Sequence, residues 1–497
     1  MQAFCWNDQQ LQQAVHGQRL NAEAGRRTFD KVGTDSRAVD AQSLFVAICG
    51  ERFDAHQFLQ QVVSAGVAVL LISNQQAWAD IADSIELIQQ PAVILVKDTR
   101  IALADFARWH RQQMPLKKLI AVTGSNGKTT TKTMLAQVFA EAGQTLATEG
   151  NLNNDFGVPR TLLKIRPEDE YAIIEMGANH PEEIRYLTNI AEPDITLITN
   201  VAGAHLEGFG SLQGVVETKG EIIEGLNPQT GVAIFNADMP GLDFWLQRSK
   251  EIGLQSVKLF AKKAEQTSPE NDYEMVYFAD VNTQNGGIDF SLQVNQLEPV
   301  QVTMPILGEH NAMNAAAVCQ VALSAGLPMP QIVKALAQFS GVPGRLQQSK
   351  IRCGLLLDDS YNANPESVKA GLAAVAALPG CSIACLGAMA ELGKFTESGH
   401  ADVAKFAAQV GVDALLVYGE AAQQMPKIYQ HELQTNAALR EQQSSAFAEH
   451  DQLNQQLDQL LQQWSGQQCE QINVLVKGSR SSEMERVAQF LRENWAE

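Results

Sequence analysis

Apolar positions in this chain cluster into short compact runs separated by stretches of helical period. In the first hundred residues the runs are Leu-Phe-Val-Ala-Ile (44–48), Val-Ala-Val-Leu-Leu-Ile (67–72) and Ala-Val-Ile-Leu-Val (92–96). Alternating with helix-like pieces, they predict a small α/β domain over residues 1–100. An amphipathic pattern at 101–114 stops at Pro115. The next runs, Tyr-Ala-Ile-Ile-Glu (171–175), Ile-Thr-Leu-Ile-Thr (195–199) and Gly-Val-Ala-Ile-Phe (231–235), are compact and rich in β-branched residues. Strands buried on both faces of a parallel sheet read this way. Residues 256–306 alternate and contain Asn285-Gly286-Gly287, which predicts an antiparallel insertion with a tight turn. The alanine-rich stretch 311–325 reads as a helix stopped by Gly326 and Pro328. A Gly-Val-Pro-Gly-Arg joint follows at 341–345. Beyond it, runs at 354–358, 381–386, 414–417 and 473–476 alternate with helices in the manner of a doubly wound sheet. The glutamine-rich stretch 421–468 keeps leucines and alanines throughout, so it is expected to be solvated helix rather than low-complexity chain. The pattern divides the chain into three α/β domains at 1–100, 101–340 and 341–497.

Composition fits that division, since 497 residues with 45% apolar content suit about three well-cored domains. The first eight residues lack a basic segment leading into an apolar stretch, so no signal peptide is expected. No apolar run approaches the roughly 20 residues of a membrane span. The seven cysteines are scattered and odd in number, which argues against a disulfide framework. Cys381 and Cys385 lack a second ligand pair for zinc. A cytoplasmic location is the expectation. The formal charge of −19 argues against a general nucleic-acid surface. Any anionic substrate must therefore be met by a few concentrated basic groups.

One segment supplies such a place. Thr-Gly-Ser-Asn-Gly-Lys-Thr-Thr (123–130) follows the apolar run 119–122 and precedes a helix-like run from Met134. Strand, glycine-rich turn and helix form a phosphate-binding loop, in which backbone N–H groups and the helix N-terminus cradle a nucleoside triphosphate. Gly124, Ser125, Asn126, Gly127 and Thr130 would line it, Lys128 would reach the β/γ-phosphates, and the Thr129 hydroxyl would ligate Mg²⁺. The usual first glycine is Val122 here. The loop makes the central domain P-loop NTPase-like, and the doubly wound alternation beyond residue 341 makes the last one Rossmann-like.

Other candidates stand at strand ends and helix starts. Glu175 closes an apolar strand and is either a second Mg²⁺ ligand or a surface carboxylate. His205, in Ala-His-Leu-Glu-Gly-Phe-Gly (204–210), lies on a loop after another strand, where a histidine is commonly just polar surface. Lys219 reads as a solvated helix lysine. Asn311 and Asn314 are three apart on one helix face, as adenine readers or, for Asn311, as a cap. Arg345 at the joint suits a γ-phosphate or an exposed linker. The acids of Asp-Asp-Ser-Tyr-Asn-Ala-Asn-Pro (358–365) follow a strand and suit either ribose hydroxyls or a helix cap.

In this order the motifs resemble the Mur ligase family, and most of all its dipeptide-adding branch. The resemblance spans the chain. Thr-Asp-Ser-Arg (34–37) and Gly-Glu-Arg-Phe-Asp-Ala-His (50–56) resemble the N-terminal domain of that branch. Leu-Gly-Ala-Met-Ala-Glu-Leu-Gly (386–393) and Lys-Gly-Ser-Arg-Ser (477–481) resemble its C-terminal domain. The Asp-Asn-Pro-Arg motif of the diaminopimelate- or lysine-adding branch is missing, and Ala388 stands where an acid belongs. The resemblance implies ATP, two Mg²⁺ ions and a lysine carbamylated by CO₂ as cofactors. Lys128, Lys219, His205 and Arg345 would be catalytic. Thr129, Glu175, His205 and carbamylated Lys219 would hold metal. Asn311 and Asn314 would contact adenine, Arg345 the γ-phosphate and Asp359 the ribose. Ser36, Arg37, Arg52, Asn153 and Asn154 would face UDP-N-acetylmuramoyl-tripeptide, with Tyr361 and Asn362 near the incoming D-alanyl-D-alanine. The implied reaction is an ATP-driven amide ligation through an acyl phosphate, by a monomer without nucleic-acid partners or membrane insertion.

Two rivals share parts of the pattern. A folylpolyglutamate-type ligase would keep the ATP machinery, but 34–37 and 50–56 speak against it. A nucleotide switch would leave motifs in the outer domains unexplained, and a GTPase would need the Asn-Lys dipeptide this chain lacks.

Overall fold

The computed structural model describes residues 4–50, 53–203, 206–263, 273–284, 286–435, 443–465 and 469–496. Two compact units emerge: Met1–Ala121 with Gly143–Met176 and Arg185–Pro193, and Val122–Ala142 with Gly177–Ile184 and Asp194–Glu497. Among the described residues no helix is long and apolar enough to cross a membrane.

The first unit opens on a five-stranded sheet of β1 (Gln18–Arg19), β2 (Lys31–Gly33), β3 (Ser43–Val46), β4 (Val69–Ile72) and β5 (Ala92–Leu95), in the order β1-β5-β4-β3-β2. Only β1 runs antiparallel to its neighbour. The three apolar runs became β3, β4 and β5, whereas β1 and β2 are short, polar edge strands that no apolar run announces. Helix α1 (Thr99–Gln113) starts at Asp98, whose Oδ1 accepts the Arg100 and Ile101 N–H groups at 2.7 and 3.2 Å. Its buried stripe of Ala102, Leu103, Phe106, Ala107 and His110 recurs at helical spacing. His110 is satisfied on both nitrogens: Nδ1 accepts from Trp6 Nε1 at 3.0 Å, and Nε2 donates to the Ile165 carbonyl at 2.9 Å.

The central sheet comprises β6 (Lys118–Thr123), β7 (Thr145–Ala147), β8 (Tyr171–Glu175), β9 (Ile195–Ile198), β10 (Val232–Asn236), β11 (Ser256–Lys262), β12 (Met275–Gln284), β13 (Gly287–Val294) and β14 (Val300–Met304). Its order is β7-β8-β6-β9-β10-β11-β12-β13-β14. The boundary between the units falls inside β6. Residues 256–306 correct the expectation of a wholly antiparallel insertion. Strands β11 and β12 continue the parallel sheet, and only β12-β13-β14 pair antiparallel. Alternation in β12 reflects a strand with one face partly solvated, which its parallel pairing with β11 also permits. Helices of the second unit include α2 (Lys128–Ala140), α3 (Leu212–Gly220), α4 (Glu309–Ser324) and α5 (Met329–Ala337).

The last sheet contains β15 (Gln347–Ile351), β16 (Gly354–Asp359), β17 (Cys381–Gly387), β18 (Ala414–Tyr418), β19 (Gln443–Phe447) and β20 (Ile472–Lys477), ordered β15-β16-β20-β17-β18-β19. All neighbours are parallel except β15 and β16. Successive side chains pass to opposite faces. Ala384, Leu386, Leu415 and Val417 meet α6 (Pro365–Ala376), α7 (Thr396–Gln409) and α8 (Met425–Thr435) in one core. Ile383, Cys385, Ala414 and Leu416 meet α9 (His450–Trp464) and α10 (Glu485–Asn494) in the other. Two expectations are corrected here. The glutamine-rich stretch contains strand β19 between its helices, a polar Gln-Ser-Ser-Ala-Phe edge strand without an apolar run. Cys381 and Cys469 are joined as a disulfide with Cα atoms 6.0 Å apart. They are 88 residues apart in sequence, and only the pairing of β17 with β20 makes them neighbours.

Candidate active site

In the second unit the phosphate loop leaves the buried end of β6. Gly124 has φ +150°, and a Cβ there would lie 2.0 Å from Thr199 Oγ1. Gly127 has φ +78°, in the left-handed region, and a Cβ would lie 2.7 Å from Asn314 Oδ1. Only glycine combines that backbone with that closeness. Three groups at the end of β9 pin the loop. Ser125 N donates to Asn200 O at 3.1 Å, Asn126 N donates to Asn200 Oδ1 at 2.8 Å, and Thr199 Oγ1 donates to Asn126 O at 2.7 Å. Helix α2 has as its N-cap Gly127, which has no side chain to cap the first turn. Its N-terminus is thus presented toward the loop, with Lys128, Thr129 and Thr130 in the first turn. Lys128 folds back so that Nζ donates to the Gly124 and Ser125 carbonyls at 2.6 and 3.1 Å. The arrangement suits phosphate oxygens, which these N–H groups and the ammonium would bind.

Lys219 is not a solvated lysine. It lies in α3 at 2% exposure, with Nζ 5.3 Å from the Phe209 ring centre. Burial, helped by the Lys128 charge, pulls its pKa down to about 7, against the opposing pull of Glu183 and Glu221. A sizeable neutral fraction follows at neutral pH, which makes the amine a nucleophile.

Asn311 and Asn314 sit buried on one face of α4. Asn311 Nδ2 donates to the Leu307 carbonyl at 2.7 Å, and Asn314 Nδ2 donates to Asn311 Oδ1 at 3.2 Å. Asn314 also packs beneath Gly127, a link between helix and phosphate loop that spacing alone did not reveal.

At the joint, Arg345 stacks its guanidinium 4.0 Å from the Tyr361 ring centre, and Tyr361 N donates to the Gly344 carbonyl at 3.2 Å. Asp359 accepts from Lys477 Nζ on Oδ2 at 2.6 Å and from Leu346 N on Oδ1 at 3.2 Å. Lys477 also donates to the carbonyl of exposed Asn362 at 3.0 Å. The helix cap in this segment is Asn364, whose Oδ1 accepts from Ser367 N at 2.9 Å. Asn364 further pairs with Asn126. Sequence reasoning gave no role to Asn364, Lys477, Asn200 or Thr199. The available signals were an Asn-Pro helix start and polar residues at the carboxyl ends of apolar strands.

In the first unit, Glu175 is buried at the end of β8. Its Oε1 accepts from Asn153 Nδ2 at 2.8 Å, and its N–H donates to Thr148 Oγ1 at 2.9 Å. Asn154 Oδ1 accepts from Gly157 N at 2.8 Å and shapes the turn. Ser36 is half-buried after β2. Exposed Arg37 forks onto Asp35 at 2.8 and 2.9 Å, which holds the Asp35 carboxyl at about 2. Arg52 and His205 lie outside the described residues. Among the described residues no cluster of three or more His, Cys, Asp or Glu side chains offers a ready metal cage.

Comparison with known proteins matches three family models along the chain. They are "Mur ligase family, catalytic domain" over 28–113, "Mur ligase middle domain" over 122–322 and "Mur ligase, glutamate ligase domain" over 344–480. The UDP-N-acetylmuramoyl-tripeptide–D-alanyl-D-alanine ligase of Escherichia coli is 40% identical over 486 residues, 98% of either chain. The protein of that name from Haemophilus influenzae is 38% identical, covering 93% of this chain and 94% of its own. A crystal structure of MurF from Acinetobacter baumannii superposes with a TM-score of 0.85 at 32% identity, covering 99% of this chain and all of the other.

Proposed function

The chain belongs to the Mur ligase family, and from that premise we propose that it uses ATP to join D-alanyl-D-alanine to UDP-N-acetylmuramoyl-tripeptide. A carboxylate resists attack by an amine, so the tripeptide's terminal carboxylate first takes the γ-phosphoryl group of ATP. The dipeptide amine then attacks the acyl phosphate, and the tetrahedral intermediate collapses to the amide, releasing phosphate. In this reading Lys128 leaves the loop carbonyls for the β/γ-phosphates, and the N–H groups of the loop and of α2 hold the remaining oxygens. Arg345, poised on Tyr361, adds charge at the γ-phosphate. Asn311 and Asn314 take adenine. Asp359 takes the ribose with the lone pairs its two present donors leave free.

Bound Mg²⁺ would draw charge from the transferring phosphoryl group. Thr129 and Glu175 offer the oxygen donors a hard cation takes, and His205 and a carbamylated Lys219 are proposed for a second ion. The Lys219 environment fits carbamylation, since CO₂ adds only to a neutral amine and burial supplies one. Ser36, Arg37, Arg52, Asn153 and Asn154 are proposed to face the UDP-sugar peptide, with Tyr361 and Asn362 near the dipeptide. The domain limits 1–100, 101–340 and 341–497, a monomeric state and a cytoplasmic location belong to the same proposal.

The observation that carries the reading is a phosphate loop in the same unit as a buried lysine, Lys219, whose pKa burial pulls down to about 7, a feature that simple nucleotide hydrolysis does not require. Phosphate release from MgATP with UDP-N-acetylmuramoyl-tripeptide, with and without D-alanyl-D-alanine, tests it. Release that needs both, with the UDP-pentapeptide seen by mass spectrometry, is the expected result. Release indifferent to both substrates would sink the assignment.

A further inference from the structure

The loop 360–364 joins β16 to α6 and is fixed at three places. Lys477 anchors its start through Asp359 and the Asn362 carbonyl. The joint grips its middle, through Leu346 N on Asp359 and Gly344 O on Tyr361. Its far end reaches the phosphate loop: Asn364 Nδ2 donates to Asn126 Oδ1 at 2.6 Å, and Asn126 Nδ2 donates to Asn364 Oδ1 at 3.3 Å. Two primary amides that exchange donor and acceptor define both distance and orientation. Neither side chain is loose. The Asn126 backbone is held on both sides by Asn200 and Thr199, and Asn364 Oδ1 simultaneously caps α6 through Ser367 N.

We propose that Asn364 is a positioning residue. Paired with Asn126, it seats the C-terminal sheet and its helices on the phosphate loop, so that the part of the chain receiving the amine and the loop presenting the phosphoryl group keep one registration. The proposal rests on the ligase reading. Small misplacement of reacting groups costs rate far more than ground-state binding. Loss of the pair should therefore lower kcat and leave nucleotide affinity nearly intact.

Asn364→Ser tests this, because serine caps a helix about as well as asparagine but is too short to reach Asn126. Asn364→Asp is the companion variant, since it also caps and has no N–H to give. Both are expected to keep the parent's melting temperature and to bind ADP within about threefold of it, while kcat falls about tenfold, the equivalent of one or two hydrogen bonds. Adding Asn126→Ser to Asn364→Ser should lower kcat no further than Asn126→Ser alone. Parental kcat in both Asn364 variants, or strictly additive losses in the double variant, overturns the proposal. If the parent forms no pentapeptide, the ligase reading falls. The pairing is then judged by solution scattering of the nucleotide-free chain: Asn364→Ser should increase the radius of gyration, and superimposable profiles overturn it.

Discussion

Removing the Lys477 ammonium should severely destabilise the C-terminal sheet. Its Nζ is buried 2.6 Å from Asp359 Oδ2 and 3.0 Å from the Asn362 carbonyl. Burial pulls the Lys477 pKa down even though the Asp359 carboxylate pulls it up. Desolvation and the Arg345 charge together outweigh the attraction of its partner. Such a pair contributes little as a pair, yet breaking it is costly, because the surviving charge stays buried. Lys477→Met would leave Asp359 with only the Leu346 N–H, a loss of roughly 3–5 kcal/mol. Asp359→Asn combined with Lys477→Met removes both charges and should stay within about 1–2 kcal/mol of the parent. Native-state hydrogen exchange in β16 and β20 reads this locally, without assuming that a 497-residue chain unfolds in one step. The single variant should exchange faster by roughly two to three and a half orders of magnitude, at 1.36 kcal/mol per decade. A single variant within about 1 kcal/mol of the parent, or a double variant as labile as the single, would refute the argument from charge compensation.

Two further changes probe the other sheets. Gly127→Ala places a Cβ 2.7 Å from Asn314 Oδ1 at φ +78°. The left-handed backbone alone costs about 1–2 kcal/mol, so nucleotide affinity should drop roughly five- to thirtyfold by calorimetry, and parental affinity would contradict the assigned loop geometry. His110 has its pKa lowered from 6.5 to about 4, chiefly by burial. The unfolded chain therefore binds the proton first as pH falls, and the stability present above 6.5 is lost between there and 4. By linkage that loss is about 2 kcal/mol at pH 5. Melting temperature against pH should slope over that window in the parent and flatten in His110→Phe, and an unchanged slope would exclude His110 as its source.

The parts of this fold legible in the sequence are those where one physical requirement dominates. Strands buried on both faces must be apolar at consecutive positions, so β3 to β6, β8 to β10 and the inner strands of the last sheet are visible as runs. Edge strands need only backbone partners on one side. That is why no apolar run announces β1, β2 or β19. Strand β12 is a different case: it pairs parallel with β11 and antiparallel with β13, and its alternation carries no mark of which side is which. The disulfide was invisible for a related reason. Cys381 and Cys469 become neighbours only through the register Cys381↔Ile472, and register between distant strands is a tertiary fact.

Function was legible through order more than through any single residue. Lys219 shows the distinction. On a helical wheel it is one more lysine, and nothing in its spacing separates a solvated side chain from one buried beside Phe209 and Lys128. What changes its chemistry is the packing of α3, with Val215, Val216 and Thr218 also buried, and packing is not written locally. Asp359 makes the converse point. A carboxylate after a strand reads naturally as a ribose acceptor, yet both its oxygens already bond within the chain, to Lys477 and to the joint at Leu346. The same acid can thus fix the joint while offering its remaining lone pairs to a ligand. If so, Asp359→Asn with Lys477 intact should loosen the joint as well as weaken nucleotide binding. An effect on affinity alone, with hydrogen exchange at Leu346 unchanged, would assign Asp359 to the ligand only.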